Sequence, residues 1–211
     1  MFLSQDKHKS LMEGDILVQT RPHNAWGGAV TVSMYLPLVR SYVWDQITEY
    51  PRWVQYFPDL TKSELICQGN KGTVKFLYQR AQKAFLFFTA EVEIYLSVVE
   101  VLGKQIQFRM ERGTFEDFYA NLQFQDMENG TLLIYTVEAT PNIPIPSMLI
   151  EQGMSWGLPD NLGKMRQFLC SRVRTIINQE LGGVNHGKLN VRFGHRQKLY
   201  PLHQIHPARW L

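Results

Sequence analysis

The chain has 211 residues, of which 45% are hydrophobic and 19% charged, with a net charge of +3. That composition excludes wholesale disorder and leaves enough chain to enclose one large core. Two cysteines with no metal-ligand spacing exclude a disulfide framework and give redox chemistry no support.

The opening residues carry Asp6, Lys7, His8 and Lys9, so no signal peptide is read there, and the expected location is the cytoplasm, at most peripheral to a membrane. Residues 1–24 are taken as an N-terminal extension. A candidate strand follows at Gly28 to Leu36. Pro37 and Pro51 then bracket LPLVRSYVWDQITEY, whose Val39, Val43, Trp44 and Ile47 suit an amphipathic helix. WVQYF allows a short second helix. From Leu60 onward six stretches alternate apolar and polar residues, separated by Gly69-Asn70-Lys71, Gly103, Gly113 and Glu128-Asn129-Gly130. The most apolar of them, Lys83 to Leu102, has the length of a membrane span but contains Glu91, Glu93 and Glu100, which suit a strand buried on one face.

Pro141, Pro144 and Pro146 then end the ladder, because proline cannot extend it, and a new element is expected to start near Pro146, where Met148, Leu149 and Ile150 open an apolar run at helical spacing. Asp160 to Gln179 repeats Leu162, Met165, Phe168, Leu169, Val173, Ile176 and Ile177 at helical spacing. Helices segregated from an antiparallel meander indicate an α+β domain over residues 25–180, its curved sheet of about seven strands wrapped around the long C-terminal helix.

This order of elements, with Val43, Trp44, Tyr50, Trp53, Phe57 and Pro58 in the first helical region, resembles the START-like superfamily of helix-grip (SRPBCC) domains. The resemblance is strongest to its polyketide cyclase/dehydrase and coenzyme Q-binding branch and covers about Ala29 to Thr175. Glu49 stands where that branch usually has aspartate, and GLPDNL at Gly157 to Leu162 resembles a break before its final helix. The resemblance implies a cavity between sheet and helix for a hydrophobic small molecule, a lipid or prenylquinone, that is bound, transported or chaperoned. It implies no cofactor. Two alternatives stay open, a polyketide cyclase or aromatase enzyme and a non-catalytic interaction module.

The alternating faces nominate Phe76, Tyr78, Phe88, Ala90, Val92, Phe108, Met110, Phe118, Leu122, Tyr135 and Val137 as the sheet side of such a cavity. Met148, Met154, Trp156, Met165 and Phe168 are nominated from the helix, methionine being suited to irregular apolar guests. Each is equally a core position, since core and cavity wall share a composition. Arg80, placed in phase with Phe76 and Tyr78, is expected to orient a polar head group. Trp44 and Trp53 are expected to fasten the first helices without touching a ligand. The segment from Pro141 to Trp156 reads as a rim and lid, with Gly153 and Gly157 as hinges. No nucleophile elbow, phosphate loop, zinc motif or other metal pattern occurs, and no catalytic residue is assigned.

Residues 181–211 hold Lys188, Arg192, Arg196, Lys198 and Arg209 and no acid, so the positive charge of the chain is concentrated there. This basic tail is expected to meet an anionic membrane or an acidic protein, or to remain a solvated extension; no nucleic-acid module accompanies it.

Overall fold

The computed structural model describes the backbone of residues 4–69, 74–84, 89–142, 147–181, 189–193 and 196–200, and the side chains of residues 4–69, 74–82, 91–142 and 152–173. In chain order the elements are α1 (Gln5–Met12), β1 (Ile16–Asn24), β2 (Gly27–Leu36) and α2 (Arg40–Ile47), then a 3-10 turn (Tyr50–Arg52) and α3 (Trp53–Tyr56). The meander follows as β3 (Leu60–Gln68), β4 (Val74–Ala84), β5 (Thr89–Val101), β6 (Gln105–Gly113), β7 (Phe115–Met127) and β8 (Gly130–Pro141). The long helix α4 (Ser147–Leu181) and a hairpin, β9 (Leu189–Phe193) and β10 (Arg196–Tyr200), complete it.

The first eight strands make one antiparallel sheet in the order β1-β2-β8-β7-β6-β5-β4-β3. Only the β2 to β8 pairing joins strands distant in sequence, and it brings the start of the meander against its end. The sheet is curved and unclosed, with β1 and β3 as edges, and α4 packs over β1 and β2 on its concave side. This is the α+β helix-grip architecture expected from the sequence.

Two boundaries are corrected. The sheet has eight strands instead of about seven because Ile16–Asn24, read as extension, pairs residue for residue with β2. Its own pattern is poorly amphipathic, and it tolerates Pro22 because an edge strand has an unpaired side. The long helix begins at Ser147, as expected of an element starting near Pro146, but runs on through Pro159 without the break read at Gly157 to Leu162. Proline there removes one internal hydrogen bond, which a helix of 35 residues survives when its apolar stripe is buried.

That stripe sets the helix phase. Met154, Leu158, Leu162, Met165 and Leu169 recur at three- and four-residue intervals, and Leu162, Met165 and Leu169 are fully buried. They meet Val30, Val32, Met34 and Leu36 of β2. Arg166 donates to the carbonyl of Gly14 at 2.8 Å, tying α4 to the chain just before β1. On the convex side α1 covers a second, smaller cluster in which Leu11 meets Tyr35, Met127 and Leu132.

The first helices are fixed by aromatic packing. Trp44 of α2 lies edge-on to Phe124 of β7 with ring centroids 5.1 Å apart. Trp53 of α3 donates its indole N–H to the Ile47 carbonyl at 2.8 Å, and Thr131 of β8 donates to the Leu38 carbonyl at 2.7 Å. Gly130 admits no side chain, because a Cβ there would lie 2.2 Å from the Leu36 carbonyl oxygen.

Replacing Trp44 with alanine is expected to destabilise the domain by about 3 to 5 kcal/mol, whereas the same change at the exposed Trp156 is expected to stay within about 0.5 kcal/mol. Urea unfolding of the two variants checks this.

Candidate functional site

A sheet of eight strands is wider than one helix, and α4 covers only the β1–β2 flank of its concave face. Over β4, β5, β7 and β8 a cleft of about 340 Å³ remains. Leu158 and Asn161 of α4 form one wall, and Trp53, Phe57, Asp59 and Leu60 form another. The sheet supplies Gln79 and Ala81 from β4, Val92 and Ile94 from β5, Phe115 and Phe118 from β7, and Tyr135 and Val137 from β8.

Strand pairing decides which side chains reach this space, since directly opposed residues share a face. Leu77, Gln79 and Ala81 of β4 oppose Leu96, Ile94 and Val92 of β5, so they point inward together. Phe76, Tyr78 and Arg80 therefore point to the convex side, and their assignment to the inner wall is corrected. Tyr78 stacks against Tyr95 at 5.0 Å and donates to Glu93 at 2.9 Å. Arg80 pairs with Glu91 and lies 3.6 Å from Glu93. Hydrogen bonds from Gln82 and Arg80 hold the Glu91 carboxyl below its usual range. Arg80 is thus committed to an outer ion-pair cluster and cannot orient a guest within the cleft.

Of the other nominated residues, Val92, Phe118, Tyr135 and Val137 line the cleft. Phe108, Leu122 and Met165 share its face but are packed as core, and Met110, Met154 and Phe168 are half-buried against that core. Phe168 meets Tyr56 at 5.4 Å. Trp156 is corrected outright, being 70% exposed. Nine residues from Met165 at about 100° each, it sits half a turn round the helix from the buried stripe. The side chains of Phe88, Ala90 and Met148 lie outside the described residues, as do residues 143–146 of the expected lid.

Trp53, Phe57, Asp59, Leu60, Gln79, Ala81, Ile94, Phe115, Leu158 and Asn161 were not nominated. Trp53 both fastens α3 and faces the cleft, so the expectation that it stays away from the site is corrected, while Trp44 remains a packing residue. Gln79 was legible only through register, because its polarity argues for the outer face. Its Nε2 donates to Ser63 Oγ at 3.2 Å, and Ser63 donates to the Tyr50 carbonyl at 2.8 Å. That relay satisfies a buried amide beneath the cleft floor. Burial pushes the Tyr135 phenol pKa well up. Among the described residues no group of metal-ligating side chains and no membrane-crossing helix occurs.

Residues 37–166 match the model of the family described as polyketide cyclase/dehydrase and lipid transport. The chain belongs to that family. Solved structures with the same fold include a START superfamily protein from Mycobacterium smegmatis, at 13% identity and TM-score 0.58, covering 67% of this chain and 98% of that one. A STAR-related lipid transfer protein from Xanthomonas axonopodis is similar at 17% identity and TM-score 0.58, over 73% of this chain and 93% of the other. An aromatase/cyclase from a Streptomyces species is similar at 8% identity and TM-score 0.54, over 77% and 96%. Such identities carry the fold alone. No individual curated protein matches the chain.

Arg80→Ala is expected to leave uptake of the apolar dye N-phenylnaphthylamine at the wild-type level and to shift the urea midpoint far less than Trp44→Ala, because it removes an exposed ion pair. Loss of dye uptake in a folded Arg80→Ala protein would return this residue to the cleft.

Proposed function

We propose that the domain binds one hydrophobic small molecule, of lipid or prenylquinone type, in the cleft between the sheet and α4, and acts as its carrier, chaperone or sensor. The observation that supports this reading is the cleft itself. Its volume of about 340 Å³ lies at the lower end of the range for small-molecule sites, and its wall is predominantly apolar and aromatic. Membership of a family whose description includes lipid transport agrees with it, as does likeness to a protein called a lipid transfer protein. Burial of an apolar guest against Trp53, Phe57, Val92 and Val137 removes its surface from water and supplies the affinity.

Protein purified from its own host is expected to retain a stoichiometric small molecule in native mass spectrometry, recoverable by organic extraction. Val92→Trp, which places an indole in the cleft, is expected to reduce N-phenylnaphthylamine uptake at least about tenfold, the loss of a well-filled apolar contact surface. An empty protein that also takes up no dye would overturn the reading.

The basic segment after Glu180 extends the proposal. About 1 kcal/mol per basic residue near anionic lipid is enough for its five cations to hold the domain at a bilayer while a guest is exchanged. A chain ending at Gly182 is expected to lose binding to anionic vesicles and slow transfer to them, with wild-type behaviour converging on the same values at high salt. Unchanged binding after truncation would remove the membrane from the proposal and leave the cleft.

A further inference from the structure

Tyr135 brings to the cleft wall a hydroxyl that has no protein partner among the described residues. Tyr135 lies in the middle of β8, opposed by Val32 of β2 on one side and by Leu122 of β7 on the other. Both neighbours are apolar and fully buried, so neither flank offers the phenol a partner. Tyr135 itself is only 7% exposed, lines the cleft, and among the described residues its hydroxyl has no hydrogen bond. With no protein partner, the hydroxyl is left to bond to water or to a guest that enters the cleft. The buried tyrosine of the neighbouring core behaves differently: Tyr50 donates to Glu100.

The charges around the cleft narrow what that partner is. Among its described lining residues the only carboxylate is Asp59, and no cation lines it. Arg80 is spent on Glu91 and Glu93 at the convex face. A carboxylate or phosphate brought into the cleft meets no positive charge and faces an acid, so its desolvation is uncompensated. A neutral oxygen acceptor needs only one donor. The Asn161 amide, projecting from α4 into the same space, adds a neutral polar contact.

Resting on the reading that the cleft takes an apolar guest, we propose that its guest is an uncharged molecule bearing a carbonyl-type acceptor, which is seated by a hydrogen bond from the Tyr135 hydroxyl. The guest is then selected by one neutral anchor inside an otherwise apolar wall, and anionic lipids such as free fatty acids are discriminated against. Burial raises the phenol pKa, which keeps the hydroxyl protonated and donating throughout the neutral range.

The test uses three probes of matched shape: methyl naphthyl ketone, ethylnaphthalene and naphthoate, each competing with N-phenylnaphthylamine on the full-length protein. The ketone is expected to bind about tenfold more tightly than ethylnaphthalene, the contribution of one well-made buried hydrogen bond, and naphthoate more weakly than both. Tyr135→Phe is expected to reduce ketone affinity to that of ethylnaphthalene and to leave ethylnaphthalene and the dye unchanged. The infrared carbonyl band of the bound ketone should lie at lower frequency in the wild type than in Tyr135→Phe. Equal affinity for ketone and ethylnaphthalene in the wild type, a ketone band that does not move in Tyr135→Phe, or naphthoate as the best ligand would each overturn the anchor while the cleft reading stands. Failure of the dye and all three probes to bind would overturn the cleft reading and the anchor with it.

Discussion

The structure depends on a mismatch of widths. Eight strands present a concave apolar face that one helix cannot cover, and α4 is held to one flank by Leu162, Met165 and Leu169 against β2 and by Arg166 on Gly14. Elsewhere the face has to be covered by something other than helix. Near α2 and α3 this is achieved by aromatic bulk, with Trp53, Tyr50 and Phe108 clustered at 5.3 to 6.0 Å. Beyond them the sheet offers the smaller Ala81, Val92 and Val137 between its aromatics, and no helix lies opposite to fill the space. The cleft is what remains where the concave face has neither helix nor filling side chain above it.

Polar groups follow from the same geometry. Where side chains face both ways along a strand, the outer row is free to be charged, and β4 and β5 use it for Arg80, Glu91 and Glu93 beneath the Tyr78 and Tyr95 rings. Arg112 stacks over Tyr95 at 4.0 Å in the same row. Inside, the polar side chains of β3 and β4 are satisfied by one another and by backbone, as the Gln79 to Ser63 to Tyr50 relay shows.

Much of this was legible from residues alone. The inner phases of β5, β6, β7 and β8 were readable because alternate positions there carry an unbroken apolar series, Val92-Ile94-Leu96, Ile106-Phe108-Met110, Phe118-Ala120-Leu122-Phe124 and Leu133-Tyr135-Val137. β4 was not, because VKFLYQRAQKA carries aromatics in one phase and Leu77 and Ala81 in the other, and only register with β5 separates them. Large aromatics suggested the inside, whereas their hydroxyls and ion-pair neighbours made the outside the better place. β1 was missed because its sequence has little alternation and it is held by pairing rather than by burial. The start of α4 near Pro146 was legible, but its continuity with the stretch from Asp160 was not, because Pro159 and the glycines beside it suggest a break. The cleft's near wall around Phe57 and Leu60 lies at the ends of α3 and β3, where a few residues of pattern do not say which way a side chain faces.

The bond from Arg166 to Gly14 spans nearly the whole domain. Together with the packing of α4 against β1, it makes the inner surface of β1 complete only after the last helix has been made. On a ribosome, then, the concave face is assembled strand by strand with its apolar side open, and the closing element arrives last. Contacts of such long sequence separation make folding slow and leave the half-built sheet dependent on protection from association with other chains. The cleft gains its last wall, Leu158 and Asn161, only when α4 docks, so its sheet side is open to solvent until the end of synthesis.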